Sequence, residues 1–367
     1  MTMRIVGLGT AQPDHSVAQA DAIRFAQSCN CNTDHQRRLL AELYRRSTVQ
    51  RRASVVPGVS VVDPATDDGD ATDHLHAFYH KPQNGNGHGP TVRQRMRVYA
   101  EQALPLVQNA AKQALVDAGV DADQIDQLVT VSCTGFSAPG LDIRLIDRLG
   151  LRRDVQRTMI GFMGCHGAIN GLRVASSLPG ESVLLCCVEL CSLHFQYGWD
   201  PQQIVSNALF ADGAAAIVGL KDNRTENDTP QLIATGSYLL PDSLGDMTWT
   251  IGDHGFAMTL STRVPQMIRE HLRPWLTRWL GQHGYTLDRI EGWAIHPGGP
   301  RVISAVESAL DLPHGAGDES RRVLAECGNM SSPTVLFLLD RLWQRRVSPA
   351  VAIAFGPGLV AEVALFD

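Results

Sequence analysis

Three residues in this chain have the types needed for covalent acyl chemistry: Cys165, His296 and Asn329. Cys165 sits in Gly164-Cys165-His166-Gly167, at the mouth of an apolar run predicted to be helical to about residue 176. A thiol there meets the positive end of the helix dipole and free amide donors, which favour the thiolate nucleophile. Gly164 and Gly167 keep the approach open for an incoming thioester. The bland reading of such a cysteine is a small buried hydrophobe. His296 ends an apolar strand predicted over 291–294, and Pro297-Gly298-Gly299-Pro300 follows at once. That break presents the imidazole at the carboxyl end of a strand, where sites form. Within reach of a thiol it would stabilise the thiolate and shuttle protons; the alternative is a hydrogen-bonded structural histidine. Asn329, after Gly328, offers an amide suited to polarising a carbonyl or holding an enolate oxygen. Its alternative is a plain helix N-cap.

These residues lie far apart in sequence, so the elements carrying them must bring them together. The first half reads as strands over 4–9, 127–133, 157–162, 182–189 and 213–220, with helices over 17–27, 91–118, 141–149, 164–176 and 201–210. Thr33 is placed to cap a helix running to about residue 46. In the second half the strand before His296 precedes a helix over 300–310, Gly328-Asn329 opens a helix to about 343, and a buried strand covers 351–355. Cys165 and Asn329 are 164 positions apart, each after a glycine and before an apolar segment. The same offset carries His296 onto Ser132, and the strands after the two motifs fall nearly in step. Such an echo points to duplication and a pseudo-two-fold α/β fold, unless two common βα units coincide. Residues 1–220 form one expected half and 231–367 the other, divided by the polar run 221–230. The stretch 57–90, rich in Asp, Gly, Asn and His, reads as an exposed loop.

A net charge of -6 argues against a generic nucleic-acid or anionic-membrane surface. The start lacks the basic and apolar regions of a signal peptide, and no apolar run reaches transmembrane length. Eight cysteines without a CxxC pair fit reduced thiols, so a soluble cytoplasmic protein is expected and the sequons at Asn223 and Asn227 carry no meaning. Cys186, Cys187, Cys191 and His194 could be drawn as a metal site. Neighbouring strand residues face opposite sides, however, so Cys186 and Cys187 do not readily share an ion, and no metal is expected. Cys29 and Cys31 read as a thiol pair without function. Glu189, after an apolar strand, reads as a structural carboxylate rather than a base.

Several segments together carry a family resemblance: CTGFSAPGLDIRLIDRLGL at 133–151, GCHGAINGLRVA at 164–175, ALFADGAAA at 208–216, WAIHPGGPRVI at 293–303, GNMSSPTVLFLLD at 328–340 and FGPGLVAE at 355–362. They resemble the type III polyketide synthases, the chalcone and stilbene synthase-like condensing enzymes. The resemblance covers most of the chain and weakens in the first 90 residues. It implies the thiolase fold, two similar halves in αβαβα layers, in a homodimer. By motif, Cys165 resembles the acyl-carrying nucleophile, and His296 and Asn329 the pair that decarboxylates a malonyl thioester and holds the enolate. Phe210 resembles the gatekeeper between CoA tunnel and cavity, and Gly356 and Pro357 belong to a loop shaping the cavity wall. Cys133, Thr134 and Ser331 match cavity positions of the same motifs.

Met258 stands where plant enzymes carry a second gatekeeper phenylalanine, Cys191 and His194 where they carry pocket threonines, and Ala138 where a methionine crosses the dimer. These departures fit the bacterial branch that makes alkylpyrones, alkylresorcinols or naphthalenes rather than chalcone. In the cluster Arg45, Arg46, Arg51 and Arg52, Arg46 is the positional match for a CoA-phosphate contact, its alternative being a solvated helix face. The implied substrates are acyl-CoA and malonyl-CoA, with no cofactor, because loss of carbon dioxide generates the carbanion. A β-ketoacyl synthase III-type enzyme uses the same three residue types with a carrier protein. A papain-like protease shares the Cys, His, Asn order but not the echo, and a catalytically dead scaffold would not be expected to keep the triad. Starter length, number of extensions and mode of ring closure depend on cavity volume, a property of the folded chain.

Overall fold

The computed structural model describes residues 2–56, 78, 79, 88–221 and 229–367. Most of the loop expected over 57–90 and both sequons lie outside them. The first half contains β1 (Met3–Ala11), β2 (Ser16–Ala18), α1 (Gln19–Asn30), α2 (Asp34–Arg46), β3 (Arg51–Ala53), α3 (Val92–Ala118), β4 (Gln127–Ser132), α4 (Leu141–Leu149), β5 (Gln156–Gly161), α5 (Gly167–Ser177), β6 (Ser182–Leu190), α6 (Pro201–Leu209) and β7 (Asp212–Leu220). The second contains β8 (Gln231–Leu239), β9 (Met247–Gly252), β10 (Gly255–Leu260), α7 (Val264–Gln282), β11 (Gly292–Ile295), α8 (Pro300–Leu310), α9 (Asp318–Cys327), α10 (Thr334–Gln344), β12 (Ala350–Gly356) and β13 (Val360–Phe366).

Local chemistry sets several of these boundaries. Thr33 accepts from the backbone N–H of Gln36, whose side chain reaches back to Thr33, so α2 begins on a capping box. Thr91 and Gln94 repeat the device at the start of α3, which continues past Pro105 to end on Gly119 in the left-handed conformation. One helix start differs from expectation. Asn329 does not open α10, because Ser331 takes a left-handed backbone (φ 56°) and Pro333 caps the helix, so α10 begins at Thr334.

Nine strands form one sheet in the order β11-β12-β13-β8-β1-β7-β6-β4-β5. The run β4-β6-β7-β1 repeats in β11-β12-β13-β8. In each run the first pair is parallel and the next two are antiparallel. The runs meet where β1 pairs β8, at Met3 with Leu232 and Arg4 with Gln231. Helix α5 touches β4 and β6 of its own run and β8, β12 and β13 of the other, and α10 likewise touches β11, β12, β1 and β7. These two helices therefore form the middle layer. Helix α3 covers one outer face and packs so closely that a Cβ at Gly7 or Gly9 would lie 2.2 Å from a carbonyl of Ala114 or Ala110. Helices α7 and α8 pack against the other outer face. The layers are α, β, α, β, α, the thiolase-like arrangement the resemblance implies.

Apolar residues follow the layers. Cys187 lies in the central core with Ile169, Leu172, Val335 and Leu336, whereas Cys186 lies in the outer core with Leu104, Val107 and Leu184. Their side chains thus leave opposite faces of β6. Strand β6 is buried along all nine residues, as expected for a strand covered on both faces.

Candidate active site

Three segments deliver the parts of the site: the turn after β5, the loop after α9 and the end of β11. After β5, Phe162 (φ 56°) and Gly164 (φ 68°) turn the chain through left-handed conformations into a 3₁₀ turn, Gly164–His166, that carries Cys165 at the head of α5. Gly164 meets two constraints, since a Cβ there would also lie 2.5 Å from the Pro357 ring. Its N–H donates to Cys133 Sγ at 3.0 Å, tying the nucleophile turn to the end of β4. Asn329 runs beside Phe210 in a short parallel bridge: its N–H donates to Leu209 O and its O accepts from Ala211 N, each at 2.9 Å. Ser331 N donates to Asn329 Oδ1 at 2.8 Å and fixes the amide. That amide stands 4.0 Å from Cys165 Sγ by both its oxygen and its nitrogen. His296 follows β11 and donates its N–H to Ile353 O on β12 at 2.8 Å.

The His296 side chain is 1% exposed, and neither ring nitrogen has a hydrogen-bond partner. Such an imidazole is costly to leave unused in a core, which argues against the structural-histidine reading. Burial pushes it down to about 3, helped by repulsion from His166. Burial also pushes the Cys165 thiol up to about 11, against lowering contacts from Ser331 and Asn329. Desolvation thus opposes the thiolate that the helix terminus favours, and it opposes the imidazolium as well.

Glu189 lies at the end of β6, fully buried. Its Oε2 accepts from Cys133 N and Thr134 Oγ1, both at 2.8 Å, and its Oε1 accepts from Ser332 Oγ at 2.7 Å. Burial raises it to about 7 in spite of these donors. It joins the strand end after β4 to the Asn329 loop, a structural task.

A space of about 360 Å³, part of it open solvent, opens on Cys165, lined by Cys133, Thr134, Ser331 and Pro357 among others. A second space of about 670 Å³, part of it open solvent, reaches toward α1, α2 and α6, past Phe25, Tyr44 and His194. Cys191, Phe210, Trp249 and Met258 line both. Gly356 lines neither; a Cβ there would lie 2.3 Å from the His166 ring, so its role is to let β12 approach that ring. Arg46 is exposed and pairs with Glu42 at 2.8 Å on the surface of α2. Arg52 is buried, and donates to the carbonyls of Asn207, Ala208 and Phe210.

Sequence reasoning missed Trp249. It stands on the β9–β10 hairpin, whose Gly252-Asp253-His254-Gly255 turn between alternating segments was the available signal. Its Nε1 donates to Cys133 O at 2.8 Å, holding the ring across the cavity mouth. His194 stacks on Phe256 at 4.1 Å; its Nε2 donates to Thr134 O at 2.6 Å and its Nδ1 accepts from Phe256 N at 3.0 Å. Both nitrogens being spent, and burial pushing it down to about 3, His194 is a neutral wall residue.

Residues 74–222 match the family model "Chalcone and stilbene synthases, N-terminal domain" and residues 231–367 its C-terminal counterpart. The chain belongs to the chalcone and stilbene synthase family. It is therefore a condensing acyltransferase of the type III polyketide synthase kind. It is 35% identical to 1,3,6,8-tetrahydroxynaphthalene synthase of Streptomyces peucetius subsp. caesius, over 98% of this chain and 92% of that protein. It is 32% identical to the α-pyrone synthesis polyketide synthase-like Pks18 of Mycobacterium tuberculosis, over 99% and 90%. The crystal structure of PKS-I from the brown alga Ectocarpus siliculosus superposes with a TM-score of 0.89 at 33% identity, over 99% of this chain and 97% of that one. No helix among the described residues is long and apolar enough to cross a membrane.

Proposed function

We propose that this type III polyketide synthase loads an acyl group from acyl-CoA onto Cys165 and extends it with malonyl-CoA to pyrone- or resorcinol-type products. The observation that carries the reading is the buried, unpartnered imidazole of His296 in a site where the Asn329 amide stands 4.0 Å from Cys165 Sγ. His296 takes the thiol proton as Sγ attacks the thioester carbon, and the CoA sulfur receives it on leaving. The amide of Asn329 and the imidazole then hold the malonyl thioester oxygen, so that loss of carbon dioxide leaves an enolate paired with donors. The enolate carbon attacks the acyl thioester, and the C–S bond to Cys165 breaks.

No cofactor enters this cycle, since carbon–carbon cleavage supplies the electron pair. The departures from the plant pattern at Ala138, Cys191, His194 and Met258, and the names of the relatives, favour a bacterial-type product over chalcone. The CoA phosphates are assigned to the Arg46 end of α2, which requires the Glu42 pair to open. We read residues 1–220 and 231–367 as the two units, the first with the nucleophile and the second with His296 and Asn329. The protein is assigned to the cytoplasm, where both CoA thioesters are made.

A homodimer is part of the proposal. Strand β5 is the sheet's terminal strand, and Met159, Phe162, Met163 and Phe136 beside it are 37–47% exposed, an apolar edge suited to a second copy.

The test is mass spectrometry of products from short to long acyl-CoA starters with malonyl-CoA and no carrier protein. Tri- or tetraketide pyrones or resorcinols are expected. Turnover only with malonyl-carrier protein, stopping after one condensation, would replace this reading by the β-ketoacyl synthase III-type one.

A further inference from the structure

The proposed cycle leaves one buried titratable group beside Cys165 without a task. His166 follows the nucleophile directly, is 4% exposed, and has a Nε2 without a hydrogen-bond partner. Its ring rests on the backbone of Gly356 at the end of β12, the strand whose Ile353 carbonyl anchors His296. His296 by its backbone and His166 by its ring thus both meet the end of β12, and the two imidazoles are close enough to repel one another when charged.

The other side of the ring is fixed. His166 Nδ1 lies 2.6 Å from Asn170 Oδ1, and Asn170 Nδ2 donates to Glu362 Oε1 at 3.0 Å. Because the amide spends its N–H on the carboxylate, its oxygen faces the ring, and Nδ1 must carry the hydrogen. The bare lone pair is therefore on Nε2. Glu362 on β13 is buried and also held by Arg173 of α5, which reaches the surface. This chain of contacts orients the ring but, being built through an amide, is no proton wire.

We propose that His166 is a positioning residue of the condensing site, whose Nε2 lone pair accepts from His296 when His296 is protonated and so steadies the imidazolium through each condensation. This rests on the function proposed above, and the proton balance calls for it. Loading moves the Sγ proton to CoA thiol. In the condensation, the malonyl carbon–carboxylate bond breaks and carbon dioxide leaves. The new carbon–carbon bond forms, the Cys165 C–S bond breaks, and its electron pair stays on Sγ. The free thiolate is restored to thiol by one proton from solvent per round, and the proposal places that proton on His296. The charged and titratable groups around His166 are Glu362 on β13, Arg173 on its own helix, His296 after β11 and Cys165 beside it. Glu362 favours the positive charge while burial and Arg173 oppose it.

The test is the pH dependence of Cys165 alkylation by iodoacetamide, followed by peptide mass spectrometry, alongside condensation kinetics. In His166→Phe the alkylation midpoint should rise by about one pH unit and kcat fall about tenfold to a hundredfold, with KM for malonyl-CoA unchanged. His166→Gln, which returns an acceptor oxygen, should recover most of both. If His166→Phe does not fold, Asn170→Leu, which releases the tautomer, should move the midpoint the same way. A wild-type midpoint in the folded variants overturns the assignment. The alkylation profile reads His166 even if the wild-type protein forms no polyketide, an outcome that would sink the functional reading instead.

Discussion

Cys165 and His296 show how burial decides protonation. Burial raises the thiol to about 11 and lowers the imidazole to about 3, so desolvation works against charge on either group. Cys165→Ala is expected to abolish the covalent acyl-enzyme, visible as loss of the mass shift on incubation with acyl-CoA. Asn329→Ala is expected to slow malonyl-CoA decarboxylation by about a hundredfold to a thousandfold, the usual cost of one donor to a developing oxyanion, read as carbon dioxide release.

The same residues give stability a pH dependence. His296 and His194, each lowered to about 3, bind protons only in the unfolded chain between about pH 6.5 and 3. Each therefore removes up to about 1.4 kcal/mol of stability per unit of acidification in that window. Glu189, raised to about 7, and Asp212, raised to about 6, have the opposite sign. They hold protons in the folded chain while the unfolded one has lost them, so their contribution falls as pH rises through about 4 to 7. The two pairs offset one another near pH 5 to 6, and below about pH 4.5 the histidines act alone. Urea unfolding against pH should show a shallow region above pH 5 and a steep acid limb below. His194→Gln should lessen that limb; an unchanged slope would contradict the assigned neutral state.

At the scale of elements, the β9–β10 hairpin supplies Trp249 and Met258 to the walls of both spaces. Trp249 stands in the wall common to both spaces, pinned by its hydrogen bond to Cys133 O and packed at about a right angle to Phe256. Trp249→Ala should join the two spaces and shift use toward longer acyl-CoA starters in a competition assay, while Cys165 loading by short starters persists. A short sequence segment with mixed alternation conceals this, because a hairpin's side chains gain meaning only once its partner surface is known. The same holds for Asn329: Gly-Asn before an apolar run reads as a helix start, yet Ser331 and Pro333 delay the helix and leave the amide facing Cys165.

Across the whole molecule, Glu189 ties the first half to the second through Thr134, Cys133 and Ser332. Glu189→Ala leaves four buried donors, Ser132 Oγ included, without their acceptor and should destabilise by about 3 kcal/mol or more. Glu189→Gln, which keeps one carbonyl oxygen, should cost less; urea midpoints compare them. The apolar edge at β5 makes a second prediction at this scale. Met159→Glu should convert the proposed dimer to monomer in light scattering while leaving the fold's circular dichroism intact.

The sequence by itself determined the alternation of strands and helices, most helix limits, the capping box at Thr33 and the repeat that places Cys165 and Asn329 at matching junctions. Those properties rest on local periodicity and on motifs that the backbone reads within a few residues. Tertiary structure alone decided the rest. It showed that burial opposes the thiolate, because desolvation is a sum over distant neighbours. It showed that Gly356 serves His166 rather than the cavity, because a close approach belongs to two chain segments at once. It put Trp249 in the cavity wall and a second imidazole behind the nucleophile, because nothing local records which faces meet across a layered core.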